Sequence, residues 1–156
     1  MFTPFDVRLL KLDRSFDQPQ PQQPMNVTFD DPAITLIGAD VPTQTFRAGE
    51  TVPLNLYWQA GSTTSSLYTV FVHLETLNGH VISGIDAQPQ GGGMPTTSWA
   101  TGQVIPDVYP VTIPADTPPG AYRLVVGLYD PQDGTHLIDT RTGAGQVILE
   151  QPVVVK

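Results

Sequence analysis

Apolar and polar side chains alternate along most of this chain, and this period of two limits the structures it can adopt. From Asn26 onward, short alternating runs are separated by glycine, proline, asparagine and aspartate, the residues that favour turns. No segment that is long enough for a helix and free of glycine and proline carries an apolar stripe of helical period. The pattern therefore predicts an all-β protein built from short strands.

Eight strands are predicted from the alternating runs. They lie at about Ala33–Asp40, Thr51–Gln59, Leu67–Thr76, His80–Gln88, Asp107–Ile113, Ala121–Asp130, Thr135–Asp139 and Gln146–Val155. Two short turns, Asn78-Gly79 and Asp133-Gly134, separate neighbouring runs. Such pairs are typical of hairpins, and Asn-Gly suits a type I′ turn, in which both central residues have positive φ. We therefore expect the strands that these turns join to lie side by side.

Seven or eight short strands joined by hairpins indicate an antiparallel β-sandwich of the immunoglobulin or fibronectin type III kind. An eight-stranded barrel is the architectural alternative. Alternate residues of four runs are apolar and would face one shared core. These inward sets are Val52, Leu54, Leu56 and Trp58; Val70, Val72 and Leu74; Ile105, Tyr109, Val111 and Ile113; and Tyr122, Leu124, Val126 and Leu128. Burial of each such side chain contributes about 1.5–3 kcal/mol to stability.

The 156 residues suffice for one domain, and the chain divides into three parts. Residues 1–16 form an N-terminal segment, which is either an extra strand formed by residues 5–12 or the remnant of a preceding region. Residues 17–25 are rich in proline and glutamine, a composition typical of an extended linker. Residues 26–156 form the β-sandwich. A linker ahead of the domain favours a module of a longer protein.

Charge and composition exclude several classes of function. Seven basic residues stand against fifteen acidic ones, and the net charge of −8 argues against binding to nucleic acid or to anionic membranes. The absence of cysteine excludes disulfides and thiolate metal sites. No apolar run approaches the length of about 20 residues that a membrane-spanning helix needs, so we predict no direct membrane insertion of this segment. The charged N-terminus does not resemble a signal peptide.

Patterns for catalysis or for a cofactor are absent from the sequence. There is no G-x-S-x-G motif, and the three histidines lack the spacing of metal ligands. Asp30, Asp31, Asp130 and Asp133 are candidate Ca²⁺ ligands at loop ends, because calcium prefers oxygen ligands. They match no calcium-loop motif, and aspartate is common in turns for structural reasons. We therefore predict a non-catalytic protein without a cofactor or a metal.

Aromatic side chains are the best candidates for a binding surface. Phe71 and His73 alternate with an inward set, so they face outward, and Tyr129 joins them from a neighbouring strand together with Val125. Trp99 lies in a loop rich in glycine and threonine, either as a plug over the end of the sandwich or as an open platform. These four aromatic residues are the candidate ligand-binding residues, for a glycan or a neighbouring protein domain. The alternative is that a loop or the N-terminal segment covers the outward face.

Four sequence stretches stand out together and in this order. They are RAGETVPLNLYWQA from Arg47, YTVFVHL from Tyr68, PTTSWATGQVIPDVY from Pro95 and PPGAYRLVVGLYD from Pro118. As a set they resemble the soluble β-sandwich module at the C-terminal end of bacterial multi-pass membrane proteins of the dolichyl-phosphate-mannose mannosyltransferase-like type. The resemblance covers about residues 26–155.

This resemblance implies an accessory domain displayed outside a bacterial membrane. The catalytic acids of that family belong to its membrane part, so the resemblance assigns no catalytic residue to this chain. We therefore expect a non-catalytic, extracytoplasmic accessory or binding module of a larger envelope protein. The alternative is a small cytosolic inhibitor-like or structural protein that contacts a partner through its sandwich.

Overall fold

The structure is a computed structural model that describes residues 18–156. The expectation for residues 5–12 lies outside these described residues. Residues 18–156 form ten strands: β1 (Gln23–Thr28), β2 (Ile34–Asp40), β3 (Thr45–Phe46), β4 (Thr51–Ala60), β5 (Thr69–Thr76), β6 (Val81–Ala87), β7 (Val104–Thr112), β8 (Gly120–Tyr129), β9 (Val147–Ile148) and β10 (Val153–Val155). Two 3-10 turns, Pro89–Gly92 and Thr96–Ser98, lie between β6 and β7.

The strands form two sheets that pack face to face. The first sheet has the order β1-β2-β4-β7, and the second has the order β3-β10-β8-β5-β6, with the short β9 also paired to β8. Paired strands are antiparallel, except that β3 and β10 run parallel. Neither sheet closes on itself. The predicted β-sandwich is therefore confirmed, and the barrel alternative is wrong.

The core lies between the two sheets and consists of the predicted inward sets. Side chains from the four longest strands, β4, β5, β7 and β8, are buried there at alternate positions. Every member of the four inward sets is buried, so the predicted inward orientation of these side chains is confirmed. Pairing of β4 with β7 and of β5 with β8 runs along nearly the full length of these strands. These two long pairings hold the inward sets opposite each other.

The hairpin at Asn78-Gly79 joins β5 to β6 as predicted, but its turn is not of type I′. Only Gly79 has positive φ, at 94°, whereas Asn78 does not. The N–H of Gly79 donates to the Thr76 carbonyl oxygen at 3.0 Å, which makes a type I turn followed by a left-handed glycine. The Thr76 hydroxyl accepts the N–H of His80 at 3.0 Å and stabilises this wider loop.

The predicted strand Thr135–Asp139 does not form. Its residues make only isolated bridges, from His136 to Tyr129 on β8 and from Asp139 to Phe29 beside β1. Because the two bridges join different sheets, the chain here crosses the edge of the sandwich and extends neither sheet. We call residues 135–146 the crossing segment.

Three further boundaries differ from the expectations. The predicted strand Gln146–Val155 is divided into β9 and β10, with Pro152, which has no N–H to donate, in the gap. Neither the short β3 nor β1 was predicted as a strand. Strand β1 begins at Gln23, inside the segment 17–25 that its composition assigns to a linker. Pro21 of the same segment lies so close to Gly38 of β2 that a Cβ at Gly38 would lie 2.4 Å from the Pro21 ring.

Tyr122 fixes the entry of the chain into β8. Its hydroxyl donates to the carbonyl oxygen of Pro118, four residues upstream, at 2.6 Å. The ring is buried in the core. This is the arrangement of the tyrosine corner found in immunoglobulin-type sandwiches.

Core truncations test this packing. Leu56→Ala and Leu124→Ala are each expected to lower the free energy of unfolding by about 2–5 kcal/mol, because each leaves a cavity in a closed core. Leu77→Ala is the matched control, since Leu77 is 61% exposed and its truncation should change stability by less than about 0.5 kcal/mol. Chemical denaturation followed by circular dichroism measures all three. An unchanged midpoint for Leu56→Ala would contradict the assignment of the core.

Candidate functional site

Trp99 is a plug and not an open platform. Its side chain is only 2% exposed and belongs to the core cluster. The indole N–H donates to the carbonyl oxygen of Met94 at 2.9 Å, which satisfies the polar atom of the buried ring. Neither face of this ring is therefore open to a ligand, and Trp99 is removed from the candidate binding residues.

The outward face of the second sheet is partly covered. Phe71 is 3% exposed and Val125 is fully buried, although both point away from the core. The crossing segment provides the cover, since the ring of His136 lies 5.0 Å from that of Phe71, centroid to centroid. The open apolar patch expected from the sequence is thus reduced to its half-exposed members, His73 and Tyr129.

Four rings are nevertheless gathered on this face. Phe71 lies at the centre, with His73 at 5.0 Å and Tyr129 at 6.3 Å between ring centroids. His136, which the sequence did not single out, is exposed and stacks beside Tyr129 at 6.0 Å. We call Phe71, His73, Tyr129 and His136 the ring face.

Glycines lie under three of the four rings. A Cβ added to Gly127, the direct cross-strand partner of Phe71, would lie 2.4 Å from the phenyl ring. The two histidines lie on Gly84 and Gly145 less tightly, since an added Cβ would lie 3.1 Å from Cδ2 of His73 at Gly84 and 3.2 Å from Nδ1 of His136 at Gly145. A Cβ at Gly127 would therefore force the phenyl ring to move, whereas at Gly84 and Gly145 the imidazole rings would have to shift by only a few tenths of an ångström.

Polar groups fix the orientation of Tyr129. Its hydroxyl donates to Oδ2 of Asp86 on β6 at 2.7 Å, and this hydrogen bond raises the pKa of Tyr129 above its ordinary value. The phenol therefore stays protonated as a donor. Asp86 is exposed, so its carboxylate also remains accessible to a ligand.

A buried carboxylate forms the other end of the ring face. Oε1 of Glu75 accepts hydrogen bonds from Nε and Nη2 of Arg123, at 3.1 and 3.0 Å. Its second oxygen lies 3.7 Å from Nδ1 of His73. Glu75 thus holds an arginine and a histidine side by side, and it presents both to the surface.

The candidate calcium ligands serve as structural acceptors. Asp30 accepts a backbone N–H from the crossing segment, and Asp31 accepts the hydroxyl of Tyr68. Asp130 and Asp133 each accept the backbone N–H two residues further along, which is the usual role of aspartate in a turn. Within residues 18–156, no group of three or more histidine, cysteine, aspartate or glutamate residues is placed to hold a metal ion.

Asp107 is a buried polar centre that the sequence analysis did not identify. It is 1% exposed on the inward face of β7. Its Oδ2 accepts the indole N–H of Trp58 at 3.1 Å and the hydroxyl of Tyr109, and its Oδ1 accepts the backbone N–H of Gln90 at 2.7 Å. Asp107 alternates in step with Ile105 and Tyr109, which face the core. An acidic residue at such a position was the feature of the sequence that could have indicated a buried carboxyl group.

The Asp107 carboxylate holds an unusual loop conformation. Among residues 18–156, Gln90 is the only non-glycine residue with positive φ, at 54°. Burial raises the pKa of Asp107 above its ordinary value, and the hydrogen bonds from Tyr109, Gln90 and Trp58 partly oppose this. The loop over this end of the sandwich is therefore tied to a carboxyl group that lies inside the core.

Comparisons with known proteins bear on the fold. No protein-family model matches the chain, and no curated protein sequence matches it. Among solved structures, the crystal structure of the C-terminal domain of Wzt matches with a TM-score of 0.57 at 14% sequence identity. The alignment covers 92% of this chain and 85% of that chain. At this sequence identity, the similarity shows a shared fold and nothing more. It supports a β-sandwich module and provides no support for the mannosyltransferase-like link.

Helices contribute little to this fold. In the part of the chain that the structure describes, no helix is long and apolar enough to cross a membrane.

The contact between Phe71 and Gly127 can be tested by a double-mutant cycle. Gly127→Ala is expected to destabilise the protein by about 1–3 kcal/mol, because the new methyl group meets the phenyl ring. Phe71→Leu removes the ring, so Gly127→Ala should cost clearly less in that background. Thermal or chemical denaturation of the four proteins measures the coupling. Equal costs in both backgrounds would show that the ring does not require the glycine.

The Asp107 cluster makes a prediction about pH. When folding raises the pKa of a carboxyl group, its contribution to stability is fully present at pH values where the group is protonated in both the folded and the unfolded protein. This contribution is lost as the pH rises through the pKa of the folded protein. We therefore expect wild type to lose stability relative to Asp107→Asn as the pH rises from about 4, the ordinary pKa of aspartate. Melting temperatures of both proteins from acid to neutral pH measure this. A difference that stays constant with pH would contradict it.

Proposed function

We propose that this chain is a non-catalytic accessory module that binds glycans through the ring face. The observation that carries the proposal is the close support of three rings by three glycines, two of them on strands of the second sheet, which leaves a partly open aromatic surface with Tyr129 and His136 stacked beside each other. Rings held in this way lose little further freedom on binding, and preorganisation of this kind favours recognition.

The chemistry of the ring face suits a sugar. The apolar face of a pyranose can lie against the rings of Tyr129 and His136, while its hydroxyl groups bond to polar groups at the border. Asp86 offers a carboxylate acceptor next to Tyr129, and His73 offers a ring nitrogen at the opposite side. The net charge of −8 disfavours anionic polymers, so the ligand is a neutral or cationic glycan.

Binding of this kind is expected to be weak. The ring face is a shallow surface, which removes little of a ligand from water, and sugar hydroxyls exchange hydrogen bonds with water at small net gain. Dissociation constants in the micromolar to millimolar range follow. Such affinities are useful in a protein that presents its module at a surface with many copies of the ligand.

The proposed context is the extracytoplasmic side of a bacterial membrane, as part of a larger envelope protein. Two observations support it. The motifs between residues 47 and 130 resemble the C-terminal module of mannosyltransferase-like membrane proteins, and the solved neighbour is itself the C-terminal domain of a longer protein. In this context the module contributes binding and leaves chemistry to other parts of the chain.

A glycan array with matched variants tests the proposal. Wild type should give signal on a subset of neutral glycans, and Tyr129→Ala and His136→Ala should each reduce that signal about tenfold or more, a loss of at least about 1.4 kcal/mol. His80→Ala is the matched control, since His80 is an exposed histidine in the hairpin between β5 and β6. Tyr129→Phe keeps the ring and loses the bond to Asp86, so it separates stacking from hydrogen bonding.

Two results would overturn the proposal. One is the absence of wild-type signal on every neutral and every cationic glycan of the array. The other is equal signal from wild type, Tyr129→Ala and His136→Ala, because the ring face would then take no part in binding. Circular dichroism of each variant verifies that loss of signal does not come from unfolding.

A further inference from the structure

A groove opens at the edge of the sandwich, between β1 and the residues around β9. Its volume is about 490 Å³, within the range of about 300–1,000 Å³ that is typical of small-ligand sites. Met25, Ile148 and Leu149 form its apolar wall, and Arg141 and Glu150 are its charged residues. We call it the edge groove. The ring face does not include any of these residues.

Arg141 is held in place by a buried carboxylate. Asp139, which is almost completely buried, accepts Nε of Arg141 on Oδ1 at 3.1 Å and Nη2 on Oδ2 at 2.9 Å. This two-fold contact lowers the pKa of Asp139, so the pair stays ionised. A guanidinium group has five N–H donors, and in the described part of the chain the other three have no partner. Arg141 lines the edge groove, so these N–H groups are available to a ligand there.

Glu150 supplies hydrogen-bond acceptors to the edge groove. It is exposed, and no other described residue forms a hydrogen bond or an ion pair with its side chain. Because Asp139 already neutralises Arg141, the carboxylate of Glu150 leaves the edge groove with a net negative charge. An anion such as phosphate or sulfate is therefore disfavoured there.

Apolar atoms complete the edge groove. Ile148 is 47% exposed, and Met25 is half-buried beside the core. Ile148 is also the cross-strand partner of Val125, which lies under the ring face. Ile148 therefore lies on the same side of the second sheet as the outward-facing Val125.

We propose that the edge groove is a second sugar-binding site that takes one neutral sugar ring. Hydroxyl groups of the sugar accept hydrogen bonds from the free N–H groups of Arg141 and donate hydrogen bonds to the carboxylate of Glu150. The apolar face of the ring lies against Ile148 and Met25. This inference goes beyond the proposed function, which uses the ring face, and shares with it only the class of ligand.

A nuclear magnetic resonance titration of the full chain tests this site. The probes are the methyl glycosides of glucose, galactose and mannose at about 50 mM, well above a millimolar Kd. Tetrahydropyran, the same ring without hydroxyl groups, is the control probe. We expect the sugars, and not tetrahydropyran, to shift the backbone amides of Ile148, Glu150 and Gln151 and the Nε–H of Arg141.

Substitutions identify the side chains that bind the sugar in the edge groove. Glu150→Ala should raise the Kd about tenfold, the fold-change of about 1.4 kcal/mol. Arg141→Lys, which keeps the charge and loses the planar fork, should weaken binding as well. Asp116→Ala removes one exposed carboxylate outside the edge groove and should leave the Kd unchanged, which controls for the change in net charge.

The outcomes separate this proposal from the proposed function. Shifts at Gly127 and Gly145 without shifts at the groove residues would overturn the edge-groove site and leave glycan binding at the ring face standing. Shifts at neither place would overturn the edge-groove site, and the glycan array then decides separately on the ring face. Shifts of Arg141 by sodium sulfate but by no sugar, or an unchanged Kd in Glu150→Ala, would show that the edge groove does not recognise sugar hydroxyls.

Discussion

The phenyl ring of Phe71 lies across Gly127, its direct partner in the pairing of β5 with β8. This contact holds the register of the two central strands of the second sheet, and a slip of one residue would turn their inward sets toward solvent. The same register places His73 and Tyr129 beside Phe71. One strand pairing thus determines the core on one side of the sheet and the ring face on the other.

Hydrogen bonds between tyrosine and aspartate carry much of the polar structure. Four of the five tyrosines donate their hydroxyl group to an aspartate, on both sheets and in the core. A chain with few basic residues therefore satisfies its carboxylates with neutral donors. Burial, aided by the aspartate partners, raises the pKa of Tyr57 and of Tyr68 to about 12, so these donors stay protonated at physiological pH. Asp31, one of the candidate calcium ligands in the sequence, is a member of this structural network.

Local strand geometry explains what the sequence could predict, and contacts between residues far apart in the chain explain what it could not. The inward sets of four strands follow from a period of two, which strand geometry sets locally, and so does the outward placement of three members of the ring face. Asp107 lies at alternate positions with Ile105 and Tyr109 along β7, so its burial was predictable in the same way. His136 and the cover over the outward face depend on contacts between residues far apart in the chain. The choice between plug and platform for Trp99 depended likewise on how its loop packs.

The crossing segment is hydrogen-bonded to both sheets. The N–H of Leu137 donates to Leu128 of β8 at 2.9 Å, and the N–H of Thr140 donates to Thr28 of β1 at 3.1 Å. In mechanical terms, this short stretch is a tie bar across one side of the sandwich. Separation of the sheets under heat or force would therefore start at the opposite side, where β6 and β7 form the outer strands.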